Sequence, residues 1–221
     1  MFKLPYAVLK FNQNLYNSQV PLFRAAMIEE VGREYELFHN HSESHNVKYP
    51  YIQYKVIHKK AAIVGLGPGC MHLHKTAQPG MKLRIGKEQK IFDIDSFEFA
   101  HHELGVNGLT HLYSLKTWMP LNQENFEKYK TAGSDLAKLK MLEKILKNQI
   151  VGTYYAIGGK SNEEVLVKID RIKREKVLRF KGVLMHTFDL NFQSNVLLPD
   201  FIGLGKAAAM GFGSIMKFRK K

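Results

Sequence analysis

The sequence predicts an α+β protein made of two successive β-α-β-β-α-β units, residues 1–100 and 101–221. Three observations carry that prediction. Segments whose apolar residues alternate every second position are interleaved with stretches whose apolar residues recur every third or fourth. Turn residues, among them Gly67, Pro68 and Gly69, punctuate the series. A chain of 221 residues at 45% hydrophobic content can bury one large core or two small ones.

Each element has its own reason. Residues 6–11 alternate as a strand does, and Pro21 then opens a helical pattern with Phe23, Met27 and Val31 on one face. Ile52, Tyr54 and Val56 alternate with Tyr51, Gln53 and Lys55, and a turn at residues 58–60 leads into the apolar run 61–66, which makes a hairpin. Gly67, Pro68 and Gly69 stop the pattern, a short helix is expected over 70–75, and strand-like residues return between 82 and 99. The polar stretch 101–103 marks the start of the second half, followed by the strand-like HLYSLKTWMPL. A long helical region covers 123–150, interrupted at Gly133 and Ser134. There Leu136, Leu139, Leu142 and Leu146 recur at helical spacing, while Lys138, Lys140, Lys144 and Lys147 take the other surface. Strands are expected over 165–172 and 177–192, separated by Lys173, Arg174 and Glu175, with a last strand over 212–218. Both halves fit a ferredoxin-like (RRM-like) alternation, the second degenerate because its second helix is poorly defined.

Charge narrows the function. Lys+Arg number 33 against 20 Asp+Glu, a formal net charge of +13 and a sequence pI near 9.7, spread along the chain, which suits a polyanionic partner and nucleic acid before lipid headgroup. No apolar run approaches the roughly 18 residues of a membrane span, and the opening MFKLPYAVLKFNQ is too short in apolar residues for a signal peptide, so a cytoplasmic, non-membrane protein is expected. The single cysteine, Cys70, forms no internal disulfide and reads as packing.

Two stretches stand outside this frame. GLGKAAAMGFG, residues 203–213, has neither Walker A nor Rossmann spacing, and the eight residues after it leave no room for a βαβ unit. Its closely spaced glycines would let main-chain N–H groups of Gly203, Gly205, Gly211 and Gly213 approach a phosphate, with Lys206 adding charge; a plain glycine-rich turn is the competing reading. LFHNHSESHNVKYPYIQYK, residues 37–55, holds three histidines in seven positions. His39, His41, Glu43 and His45 could in principle ligate a metal, but Ser44 stands where a histidine-rich zinc hydrolase would want an aspartate, and a solvated loop is the plainest alternative.

Together, the C-terminal GxGxxxxxGFG, the histidine after the first helix, and YPYIQYK leading into AAIVGLG give the chain a resemblance. It resembles the CRISPR-associated repeat-RNA-processing endoribonucleases of the RAMP superfamily along essentially its whole length. The resemblance implies two tandem ferredoxin-like domains and metal-independent cleavage of CRISPR precursor RNA within its repeats, with no cofactor. It is similar in particular to a branch with paired histidines at i and i+2 and a nearby tyrosine, which fall here on His39, His41 and Tyr49 as catalytic candidates. RNA contacts are expected at the glycine loop, with Lys48 and Lys55 as weaker candidates.

The chemistry of RNA fits such a set, because the 2′-hydroxyl is a built-in nucleophile and needs proton transfers and charge stabilisation. One imidazole can take the 2′-hydroxyl proton while the other protonates the departing 5′-oxygen, and Tyr49 can position or stabilise. The products would carry 2′,3′-cyclic phosphate and 5′-hydroxyl ends. A non-catalytic RAMP subunit that binds guide RNA in a larger effector complex is the alternative. Association with other CRISPR effector subunits and homodimerisation both stay open at this point.

Overall fold

The computed structural model describes residues 1–39, 49–160 and 162–218. In chain order the elements are β1 (Phe2–Asn14), α1 (Val20–Val31), α2 (Glu36–His39), β2 (Ile52–Ile57), β3 (Lys60–Leu66), α3 (Pro68–His72), β4 (Met81–Ile85), β5 (Glu88–Phe92), β6 (Ile94–Trp118), α4 (Gln123–Thr131), α5 (Asp135–Ala156), β7 (Val167–Phe180), β8 (Val183–Leu197) and β9 (Ser214–Lys217). They divide into two compact units. The first comprises Lys3–His102 with Ala209–Gly211, the second Met1–Phe2, Glu103–Ala208 and Phe212–Lys221. The fold is α+β, as expected, and no helix among the described residues is long and apolar enough to cross a membrane.

In the first unit the sheet order is β2-β3-β1-β6, so the first strand lies between the third and the last, the ferredoxin-like order. Alternation in β1 sends Ala7, Leu9 and Phe11 into one cluster with Val20, Phe23 and Met27 of α1, where Pro21 stands in the first turn. Four rings knit this core: Phe23 stacks on Phe92 at 5.5 Å and meets Phe11 and Tyr54 edge-on at 5.9 and 5.7 Å. The β2–β3 hairpin turns through His58 and Lys59 alone, both at positive φ (50° and 69°), the geometry that matches strand twist. The expected short helix begins two residues early at Pro68, and a separate two-stranded hairpin, β4–β5, intervenes before β6.

The second unit repeats the order as β9-β6-β8-β7, every pairing antiparallel. Its first helical slot holds α4 and α5, divided at Gly133–Ser134 as expected; the Ser134 hydroxyl caps α5 by accepting from the Ala137 amide. Leu142, Leu146, Ile150 and Tyr154 are buried, whereas Leu136 is exposed because it lies in the first turn beyond the edge of the sheet-facing stripe. No helix fills the second slot between Leu197 and Ser214, where the glycine-rich loop runs instead.

Three expectations of detail change. Residues 101–103 do not interrupt β6, because alternating polar residues sit on a half-exposed strand as well as in a loop. The charged triplet 173–175 is likewise strand, and the β7–β8 turn lies at Lys181–Gly182, where φ is 49° and 81°; the glycine, not the charge run, marked the turn. The last strand is shorter than expected, Ser214–Lys217.

Candidate functional site

His39 is the last residue of α2, a single turn fixed at three points. Phe38 is buried in the core and its carbonyl accepts from the Tyr54 hydroxyl at 3.3 Å. Arg24 of α1 donates through Nη2 to the His39 carbonyl. The imidazole Nε2 lies 2.7 Å from the Arg33 carbonyl, and a carbonyl only accepts, so Nε2 carries the hydrogen. Neither Arg24 nor Tyr54 is among the residues that the sequence marks as functional candidates. Arg24 was detectable: it falls on the apolar stripe of α1 with Val20 and Met27, where a charge needs a reason. Its Nε is buried without a hydrogen-bond partner among the described residues.

His41 and Lys48, with Glu43 and His45, lie outside the described residues. Tyr49 is half-buried and hydrogen-bonded with Gln53; burial pushes its phenol well above the ordinary value, so it remains a protonated hydrogen-bond donor at physiological pH. Lys55, expected at the RNA backbone, is only 1% exposed on β2, and burial lowers its ammonium to about 7. That is an interior position and not one that presents charge to a phosphate in solvent. His72 and His74 sit on α3 and the turn after it, where His74 Nδ1 meets the Met71 carbonyl at 2.7 Å.

The glycine-rich loop divides between the units. Ala209–Gly211 belongs to the first, where the Tyr54 amide donates to the Ala209 carbonyl at 3.0 Å and Met210 bridges Tyr54 in parallel register. Tyr54 thus ties this segment by its backbone and the Phe38–His39 turn by its hydroxyl. At Gly211 a Cβ would meet Val20 of α1 at 3.4 Å. Gly203, Gly205, Lys206 and Gly213 belong to the second unit. There glycine is needed both for its positive φ, 81° at Gly205 and 62° at Gly213, and for packing: a Cβ on Gly213 would stand 1.9 Å from the Leu204 carbonyl oxygen, and one on Gly205 2.9 Å from Gln149 Oε1, which accepts from the Trp118 indole. Gly203 is similarly closed in by Ala208 and the Phe212 carbonyl. Lys206 is exposed and remains the loop's available cation.

The family models of the Cas6b N-terminal domain and the Cas6b C-terminal domain match residues 2–103 and 105–218. Among solved structures, a crystal structure of Cas6b is similar at a TM-score of 0.90 and 25% identity, over 98% of this chain and 100% of that one. A second, of the CRISPR RNA processing endoribonuclease Cas6b, is similar at a TM-score of 0.76 and 24% identity over the same shares. An uncharacterized protein of Methanocaldococcus jannaschii, MJ0978, is 29% identical over 104 residues, 47% of this chain and 69% of that protein. With a family model matched in each half and the fold shared along its length, the chain belongs to the Cas6b family of CRISPR-associated repeat-RNA-processing endoribonucleases.

Proposed function

We propose that this protein cleaves CRISPR precursor RNA within its repeats by attack of the 2′-hydroxyl on the adjacent phosphate, without a metal ion. The observation that carries the reading is the anchoring of His39: a catalytic-type residue on a four-residue helix, held through its own carbonyl, its neighbour's carbonyl and its ring. Such restraint is what proton transfer at a fixed atom requires. In the reaction the 2′-oxygen forms a bond to phosphorus as the bond to the 5′-oxygen breaks. One histidine accepts the 2′-hydroxyl proton and the other delivers a proton to the leaving oxygen, giving 2′,3′-cyclic phosphate and 5′-hydroxyl ends.

The ring of His39 supports its assignment as the base. With Nε2–H directed at the Arg33 carbonyl, the neutral tautomer has its basic nitrogen at Nδ1. His41 then serves as the acid, and Tyr49, protonated and hydrogen-bonded with Gln53, donates to a phosphate oxygen without acting as a base. Lys206 contributes to RNA affinity.

The test is His39→Ala combined with His41→Ala, assayed on labelled repeat RNA. Cleavage falls at least 100-fold, within the roughly 10²–10⁴ typical of general acid–base catalysis, while binding changes little because phosphate contacts dominate affinity. Tyr49→Phe slows cleavage less than the double change. Wild-type protein that binds repeat RNA without cutting it would identify a guide-RNA-binding subunit instead, and cleavage abolished by EDTA would point to a metal held by His39, His41, Glu43 and His45.

A further inference from the structure

A cleft on the second unit, unrelated to the histidine segment, has the construction of an anion site. It lies on β6, β8 and β7, has a volume of about 140 Å³, and is lined by Ser114, Lys116, Lys173, Arg174, Asp189 and the adjoining leucines. That is room for a group several waters in size. The cations around it are not an accident of strand periodicity, because two irregularities of register create it. Between Leu115 and Trp118 the pairing of β6 with β8 slips, and between Ile172 and Arg174 the pairing of β7 with β8 slips; both slips fall opposite the same residues of β8, Phe188–Leu190. A bulge supplies an extra residue and re-aims side chains. Here the extra residues are Lys116–Thr117 on one flank and Lys173 on the other.

The bulge on β6 is strained. Thr117 is β-branched and sits at φ 49°, a region such residues rarely enter. It is held by two contacts: its amide donates to Asp189 Oδ1 at 2.7 Å and its carbonyl accepts from the Gly213 amide at 3.1 Å. The one carboxylate in the cleft is therefore already engaged, by Thr117 and by Arg174, whose Nε lies 3.9 Å from Asp189 Oδ2. Lys116, Lys173 and Arg174 are exposed, and Lys176 continues the series in an adjoining recess that shares Arg174 and Asp189. The Nζ of Lys173 lies 5.7 Å from the centroid of Phe218, which limits where that charge can point. Strain of this kind persists where surrounding structure fixes it, and it gathers at functional sites.

We infer that this double-bulge cleft is a phosphate-binding subsite for the RNA backbone, with Lys116 and Lys173 as its ligands and the Arg174–Asp189 pair as its floor. The inference rests on the reading of the protein as a repeat-RNA enzyme and adds a contact surface to it. Phosphodiester is the group recognised, so the site carries no base preference.

The experiment measures affinity against salt for repeat RNA bearing a single 2′-deoxy substitution at the scissile nucleotide, with cleavage of unmodified RNA read in parallel. Lys116→Ala with Lys173→Ala should flatten the log-affinity against log-salt slope by about 1.4, at about 0.7 per phosphate on a single strand, and by the same amount on a repeat of scrambled sequence. Lys128→Ala with Lys130→Ala removes the same charge from α4, where both lysines pair with glutamates, and should change the slope by less than half as much. Lys173→Glu, a single exposed change, should weaken binding in the same direction and keeps the question open to test if the double variant loses its fold by circular dichroism. Equal slopes for the cleft and α4 variants would overturn the subsite while leaving the enzyme reading intact. Wild-type protein that neither binds nor cuts repeat RNA would overturn the enzyme reading and the subsite with it.

Discussion

At the scale of single residues, the candidate chemistry rests on how few atoms position His39. Arg24 Nη2 and the Tyr54 hydroxyl hold two successive carbonyls, and the imidazole returns to a third. Lys55 shows the opposite use of a charged residue. Burial lowers its ammonium from the ordinary 10.5 to about 7, so between those values the unfolded chain binds more protons than the folded one. The cost of burying the Lys55 ammonium is fully present below pH 7, where the folded chain is also protonated, and is relieved as pH rises toward 10.5, which makes the unfolding free energy climb with pH in that window. Lys55→Met should therefore unfold at higher urea than wild type at pH 7, with the advantage shrinking by pH 10. A difference that stays constant across that range would show that burial of Lys55 is not what sets it.

Elements turn on glycine in two distinct ways, and the loop and the β7–β8 hairpin separate them. Gly213 combines φ 62° with a carbonyl oxygen 1.9 Å from any Cβ, while Gly182 has φ 81° and nothing within 4 Å. Gly182→Ala should cost about 1 kcal/mol, the penalty of the left-handed region alone; Gly213→Ala should cost on the order of 3 kcal/mol or more, since backbone must also move. Chemical denaturation of the two variants checks the difference, and similar losses would contradict it. The same loop marks the limit of what sequence conveys. The order of the main strands and helices apart from the β4–β5 hairpin, the α1 stripe, the helix break at Ser134 and the β2–β3 hairpin were legible because periodicity and capping are local. The need for glycine at 203, 205 and 213 was not, because Ala208, Leu204, Trp118 and Gln149 approach from places that spacing does not encode. The same holds for Arg24 on the His39 carbonyl, for the burial of Lys55, and for the facing bulges on β6 and β7, whose charged residues read as a turn at 173–175 until the true turn at Lys181–Gly182 is seen.

For the whole molecule, two ferredoxin-like units of the same strand order carry different candidate sites. The first holds His39, Tyr49 and the Ala209–Gly211 segment; the second holds Lys206, the long β7–β8 hairpin and the double-bulge cleft. A net charge of +13 suits a general attraction for RNA, and on the proposed reading the candidate sites decide where the RNA is cut. One chemical claim is central to the proposed reaction: the RNA provides its own nucleophile. Its most direct measurement is cleavage of repeat RNA in which only the scissile nucleotide lacks the 2′-hydroxyl, run with and without EDTA. Loss of cutting on the deoxy RNA, undiminished cutting of unmodified RNA in EDTA, and 2′,3′-cyclic phosphate on the product are the predicted results; cleavage of the deoxy RNA, or dependence on added divalent metal, would contradict the account.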